Sequence, residues 1–194
     1  LVREVADAKA DRLGKSPYDA LLDQFEPDGS AERIDALFGR LEPSLRALLP
    51  EVLEHQAREG FQQPETDIPV DRQRALGLGL MASLGFEFEH GRLDVSAHPF
   101  SGGVPDDVRI TTRYDTSDWA GSLMGVIHET GHALYERGLP REWRGQPVGA
   151  SRGMAIHESQ SLLLEMQVSR SRAFFDHAAP MIREAFGVEG NQWM

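Results

Sequence analysis

Apolar residues at Trp119, Leu123, Val126, Ile127 and Leu134 are separated by steps of three, four and seven, which places them along one side of an α-helix. Gly138 and Pro140 supply a stop, so the pattern predicts a helix over 117–137. The first third of the chain carries helical pattern broken by turn residues and predicts helices over 1–13, 17–25, 30–49 and 50–58. Ser30 reads as an N-cap, Pro50 as a first helical residue and Gly60 as a stop. A helix follows over 69–84, weakened by Gly77 and Gly79, which permit close packing. Helices over 153–175 and 180–186 complete the set.

Between the two helical regions the period changes to two. Phe86-Glu87-Phe88-Glu89 alternates, His90-Gly91 offers a turn, and 92–96 supplies a second run, which together predict a β-hairpin. Residues 99–105 read as a loop, 108–114 as another strand, and 139–152, rich in Gly and Pro, as an irregular connection. The fold class expected is mainly α with a small sheet. Residues 1–84 are helical, 85–115 hold the sheet and loop, and 116–194 hold further helices, as one domain or a piece of a larger one.

With 194 residues and 40% apolar content, the chain can bury a sizeable core. Its net charge of −11 argues against a nucleic-acid partner. The longest uncharged, mostly apolar run, 76–86, falls short of the ~18 residues a membrane span needs. Cysteine is absent, which excludes disulfides, thiolate metal sites and a cysteine nucleophile, and fits a cytoplasmic protein. Charged residues through 1–13 are unlike a signal peptide. Helical pattern starts at once from a first residue that is Leu, and the expectation is a piece of something longer.

The chemistry concentrates at His128-Glu129-Thr130-Gly131-His132. On a helix, residues four apart differ by about 40° in azimuth and about 6 Å in rise, so both imidazoles can converge on one ion. Glu129 is turned by about 100° from His128, where a carboxylate reaches water beside the ion without ligating it. Composition alone yields such a pentapeptide in about 2 of 100 chains of this kind; its place on a predicted helix adds weight.

A catalytic site of this type takes a third protein ligand. Glu136 shares the histidine face but lies about 12 Å along the axis from His128, too far for a row of three to surround one ion; it reads as a surface charge. A ligand from a second helix is needed, and Glu158 is the choice. Neighbouring His157 diverges from it by about 100°, so only one of the pair faces the ion, and His157 is left a supporting or packing role. Glu165 either holds a ligating imidazole through its free N–H or is a helix-face charge.

His98-Pro99-Phe100, Asp107-Val108-Arg109-Ile110-Thr111, the HExxH segment 128–132 and His157-Glu158-Ser159-Gln160-Ser161 occur in that order. They resemble the HPF, D-x-R-x-T, HExxH and HES-Q signatures of the carboxypeptidase Taq family of metallopeptidases. The resemblance implies a helical, zincin-like fold with a small sheet next to the active-site helix. It also implies one divalent ion held by His128, His132 and Glu158, with Glu129 as general base and acid; two imidazoles and a carboxylate accept zinc, the first expectation, and also cobalt. The implied activity is removal of single C-terminal residues from peptides with a free C-terminus, and full-length members are expected to pair as homodimers. Two further family signatures, I-R-x-x-A-D and G-x-x-Q-D-x-H-W, do not occur; 182–186 begins like the first and departs from it. The resemblance thus implies that the chain covers well under half of a full member.

Two residues of these motifs carry open readings. His98 either contacts substrate in the cleft or is a turn residue before proline. Arg109 either clamps the substrate carboxylate in a bidentate fork or pairs with Asp107 beside the sheet. Two rival functions also stand: an endo-acting zincin oligopeptidase, and a metal-binding piece without turnover.

Overall fold

The computed structural model describes residues 1–59 and 67–187. The chain divides into two compact units, Leu1–Gln63 with Arg152–Met154, and Pro64–Ser151 with Ala155–Met194.

The first unit is helical. Helix α1 (Val2–Leu13) ends at Gly14, whose φ of 65° gives a left-handed cap and directs its N–H to the Ala10 carbonyl. Helix α2 (Pro17–Leu22) starts with Pro17 behind Ser16, whose hydroxyl accepts from the Asp19 N–H at 3.1 Å. Helix α3 (Ala31–Glu59) is capped by Ser30, which accepts from the Arg33 N–H at 3.3 Å. It is one helix of 29 residues with Pro43 and Pro50 inside it, a correction to the expected break at Pro50. A proline deletes one backbone hydrogen bond, and the Leu-, Ala- and Glu-rich flanks propagate the helix through that loss. The stop expected at Gly60 lies outside the described residues.

The second unit is built around α5 (Trp119–Gly138), with α4 (Val70–Ser83), α6 (Met154–Leu162) and α7 (Arg172–Phe186). One stripe of α5 buries Leu123 and Ile127 among Leu76 and Leu80 of α4 and Phe174, Ala178 and Ile182 of α7. An adjoining stripe, Val126 and Ala133, packs on Leu93, Val108 and Ile110 of a small sheet. With two sides of α5 taken up by the core, the side bearing His128 and His132 remains for chemistry. Asp118 caps this helix by accepting from the Gly121 N–H at 2.9 Å.

The sheet has three strands, β1 (Gly91–Val95), β2 (Phe100–Val104) and β3 (Asp107–Thr112), in the order β1-β3-β2. Strand β1 runs parallel to β3, with Leu93 opposite Ile110; β2 runs antiparallel, with Ser101 opposite Ile110. The expected hairpin of 86–89 with 92–96 is therefore not formed. Phe86 is buried in the core and packs edge-on against Phe88, and Phe88–His90 makes a single 3-10 turn. The hairpin is instead β2 with β3, in the stretch expected to be a loop. Val104 pairs with Asp107 across Pro105-Asp106. Gly103 sits at φ 118°, with the Asp107 carbonyl where a Cβ would project, so glycine is required there.

The helix expected over 153–175 is also interrupted. Helix α6 passes into a π-helical segment, Leu163–Val168, and α7 begins after Ser171, whose hydroxyl accepts from the Phe174 N–H at 3.2 Å. Pro180 lies inside α7 rather than opening a helix of its own.

Candidate metal centre

His128 and His132 project from α5, and Glu158 reaches them from α6. Their donor atoms all lie within 4.8 Å of one another. The Oε2 atom of Glu158 is 3.3 Å from His132 Nε2, and its Oε1 is 3.6 Å from His128 Nε2. An ion bound tetrahedrally at about 2.0–2.2 Å sets its ligand atoms about 3.3–3.6 Å apart. A charge-assisted hydrogen bond between the same groups would close to about 2.7–2.9 Å. These two separations run to different oxygens of the Glu158 carboxylate, and with all three donor atoms within 4.8 Å the groups lie close enough to converge on one divalent ion. Two imidazoles and one carboxylate are the donor chemistry of catalytic first-row divalent sites.

The approach of α6 to α5 depends on Gly131. A Cβ there would lie 2.6 Å from Ser161 Cα and 2.7 Å from the Gln160 carbonyl. Ser161, fully buried, donates its hydroxyl to the Glu158 carbonyl at 2.6 Å. The contact that brings the helices together is thus one turn from the residue that completes the cluster.

Each histidine is held from behind. His128 Nδ1 is 2.9 Å from Glu165 Oε2, and Glu165 also takes Arg170 at 3.0 Å, the holding role that was one of its two readings. His132 Nδ1 is 2.7 Å from His157 Nδ1, and His157 Nε2 is 2.8 Å from Glu136 Oε1. Glu136 is not the free surface charge it was expected to be. Its place on the same helical face as His132 was the signal, overlooked because it was weighed only as a ligand. Burial, followed by the neighbouring His157 and His128, pushes the His132 pKa below the usual histidine range. That shift disfavours the charged imidazole, and ligation needs the neutral one.

Glu129 is 7% exposed. Burial pushes its carboxyl pKa up; His128 opposes the shift, Glu158 adds to it, and His98 and His157 oppose it. A carboxyl with raised proton affinity beside a cluster of ligand-type side chains is suited to take and return a proton.

His98 is exposed in the loop before β2, near enough to act on the Glu129 charge. Its carbonyl is held by Thr111 Oγ1 at 3.2 Å and by the Ser96 hydroxyl, and Thr111 and Ser96 are 2.8 Å apart. This anchoring through the final residue of the D-x-R-x-T segment was not anticipated. Arg109 lies elsewhere: its guanidinium pairs with Asp107 at 2.7 Å on the face of β3 opposite to Val108 and Ile110, which face α5. The three ligand-type residues and Glu129 are thus grouped together, His98 stands beside them, and Arg109 is engaged by Asp107.

Comparison with known proteins places this geometry in a family. Over residues 1–194 the chain matches the carboxypeptidase Taq (M32) metallopeptidase family. It is 42% identical over 175 residues to thermostable carboxypeptidase 1 of Thermus thermophilus, covering 90% of this chain and 34% of that protein. It is 38% identical over 179 residues to carboxypeptidase 1 of Bacillus subtilis, covering 89% of this chain and 35% of that one. Among solved structures, Trypanosoma cruzi metallocarboxypeptidase 1 superposes with a TM-score of 0.88 at 45% identity, covering 97% of this chain and 38% of that one. The chain spans about a third of the length of these curated relatives. From the match along its whole length and the convergence of His128, His132 and Glu158, this chain belongs to the carboxypeptidase Taq (M32) family of metallopeptidases.

Proposed function

We propose that this chain carries the metal-binding and proton-transferring part of a carboxypeptidase that releases C-terminal amino acids from peptides. The observation that carries the reading is the convergence of His128, His132 and Glu158, with donor atoms all within 4.8 Å of one another. These three would hold one divalent ion, and two nitrogens with one oxygen suit zinc, with cobalt accepted by the same set. When bound, the ion supplies Lewis-acid polarisation of a carbonyl oxygen and of water.

The remaining chemistry belongs to the protein. The Glu129 carboxylate takes a proton from the attacking water and returns it to the departing amine, so no covalent attachment to the enzyme is required. Its burial raises its affinity for the proton, which favours the protonated state reached midway. The His98 carbonyl is anchored by Ser96 and Thr111 and its side chain acts on the Glu129 charge, which supports a contact between His98 and the substrate. Arg109 is already engaged by Asp107, and the geometry supports the pair as a brace on β3 over a clamp for the substrate carboxylate. Among the described residues no helix is long and apolar enough to cross a membrane.

The test compares a peptide with its C-terminally amidated form. A carboxypeptidase cleaves the free form and spares the amide; equal rates on both would identify an endo-acting enzyme. A zinc-loaded chain that cleaves neither would support the metal-binding reading without turnover.

A further inference from the structure

We propose that the outer edge of β2 is the docking strand for the main chain of the peptide, with the backbone of Ser101 and Gly103 supplying the hydrogen-bonding groups. The inference rests on the reading of the site as a peptidase centre and deepens it, from the chemistry at the ion to the way the peptide is held beside it.

Antiparallel pairing fixes which backbone groups of β2 are left over. The β2–β3 hairpin turns through two residues, Pro105-Asp106, and Val104 faces Asp107 across them. A two-residue turn closes on a hydrogen-bonded pair, and such pairs alternate along the ladder with pairs that exchange no bonds. Val104, Gly102 and Phe100 therefore direct their N–H and C=O groups to Asp107, Arg109 and Thr111, and Ser101 and Gly103 turn theirs away from β3. No strand lies beyond them, because the order is β1-β3-β2. Among the described residues, no backbone group outside the sheet bonds to Ser101 or Gly103. Two donors and two acceptors thus stand in a row about 7 Å long, which is what an added strand requires. Exposed edges are commonly blunted by charge or proline, and Phe100-Ser101-Gly102-Gly103-Val104 carries neither.

This edge is continuous with the metal centre. Just before β2, Pro99 packs at Gly125 of α5, its Cγ 3.8 Å from where a Cβ of Gly125 would project. Just after it, the Pro105 carbonyl accepts from Arg137 Nη1 at 3.2 Å. The strand is thus tied to α5 on either side of the segment 128–132. Successive helical residues are turned by about 100°, so Glu129 is about 60° from Val126, which packs on the sheet, and about 100° from His128. Glu129 therefore stands between the sheet and the two histidines, and His98, two residues before β2, acts on its charge. The side chains suit a peptide of mixed sequence. Phe100 and Val104, 65% and 59% exposed, flank Gly102 on one face of the strand. The Phe100 ring lies over Gly102, where a Cβ would come within 2.6 Å of its Cε1. The two apolar side chains offer contacts to alternate residues of the peptide, and the main-chain bonds read no sequence, as in recognition by strand addition.

Amide hydrogen exchange and calorimetry on the zinc-loaded chain test the proposal. The probe is a phosphinic peptide, in which a P–CH2 unit replaces the last amide bond before a free C-terminus and three residues precede it. At saturation it should slow exchange at the Ser101 and Gly103 amides at least about tenfold and leave Gly102, already bonded to β3, within about twofold. Ser101→Pro removes one outward N–H and leaves the pairs of Phe100 and Gly102 with β3 in place, since an edge strand tolerates proline where the N–H faces away from its neighbour. It is expected to weaken the peptide about 3–10-fold, the loss of one hydrogen bond, with zinc affinity unchanged. The exchange measurement needs no variant, so a poorly folding Ser101→Pro leaves the test intact. Unchanged exchange at both amides in a chain saturated with the peptide would overturn this proposal alone. So would exchange there that slows with protein concentration in the absence of peptide, which would identify a second copy of the chain as the occupant. A chain that binds zinc and no peptide would overturn it together with the peptidase reading.

Discussion

Gly131→Ala perturbs the metal centre without touching a ligand. The added Cβ would lie 2.6 Å from Ser161 Cα, 2.7 Å from the Gln160 carbonyl and 3.0 Å from the Ser161 nitrogen, all backbone atoms that cannot swing aside. Ordinary contact begins at 3.4 Å, so α6 has to retreat by about 0.8 Å, the difference between 3.4 and 2.6 Å. Glu158 is one turn from Ser161 and bonded to it, so it moves with the helix. Metal–ligand distances tolerate only about 0.2 Å. The retreat exceeds that severalfold, and zinc affinity should fall at least about tenfold, equivalent to about 1.4 kcal/mol. Overpacking costs about 1–3 kcal/mol of fold stability, partly offset by about 1 kcal/mol from better helix propensity, so metal affinity is the cleaner readout. Chelator competition measures it, with Gly77→Ala as control, where a Cβ meets Val126 at an ordinary 3.6 Å. A Gly131→Ala protein binding zinc within twofold of wild type would refute the claim that this helix crossing sets the site.

Three further outcomes follow from the same structure. Glu129→Gln should retain zinc and lose hydrolysis by about 10²–10⁴-fold, measured as kcat at saturating metal. Because burial raises the Glu129 pKa in the folded state, the stability it contributes is complete below the ordinary value of about 4.3 and lost as pH rises through the folded value. The metal-free Gln variant should therefore melt higher than wild type at neutral pH. Glu158→Ala should lower the zinc-to-protein ratio after dialysis towards zero, read by elemental analysis. At the start of α5, the Ser117 hydroxyl, then its N–H, hold the Asp115 pKa low. Its stabilising contribution is present above about 3.9 and lost as pH falls below that, so Asp115→Asn should flatten the decline of Tm between pH 5 and 3.

What could be read from the residues alone was what depends on short-range periodicity. Helix α5, its stop at Gly138 and the common face of His128 and His132 follow from 3.6-residue geometry, and the search for a donor on a second element led to Glu158, which the fold brings beside the two histidines. The errors arose where a distant contact outweighs the local pattern. Phe86 and Phe88 alternate with glutamates as a strand would, yet burial of Phe86 in the core leaves them outside the sheet. The Pro99–Pro105 stretch looks like a loop by composition, yet the open edge of β3 recruits it as β2. The same holds for Glu136. Its value depends on His157, 21 residues away, and no spacing rule within α5 exposes that partnership.

The central claim is that His128, His132 and Glu158 enclose one ion, and X-ray absorption at the zinc edge, joined to elemental analysis of the zinc-equilibrated chain, tests it directly. The account predicts one ion per chain, with two imidazole nitrogens and a carboxylate oxygen at about 2.0–2.2 Å. A chain that remains metal-free, or one whose zinc content and absorption spectrum survive replacement of all three residues by alanine, would contradict it.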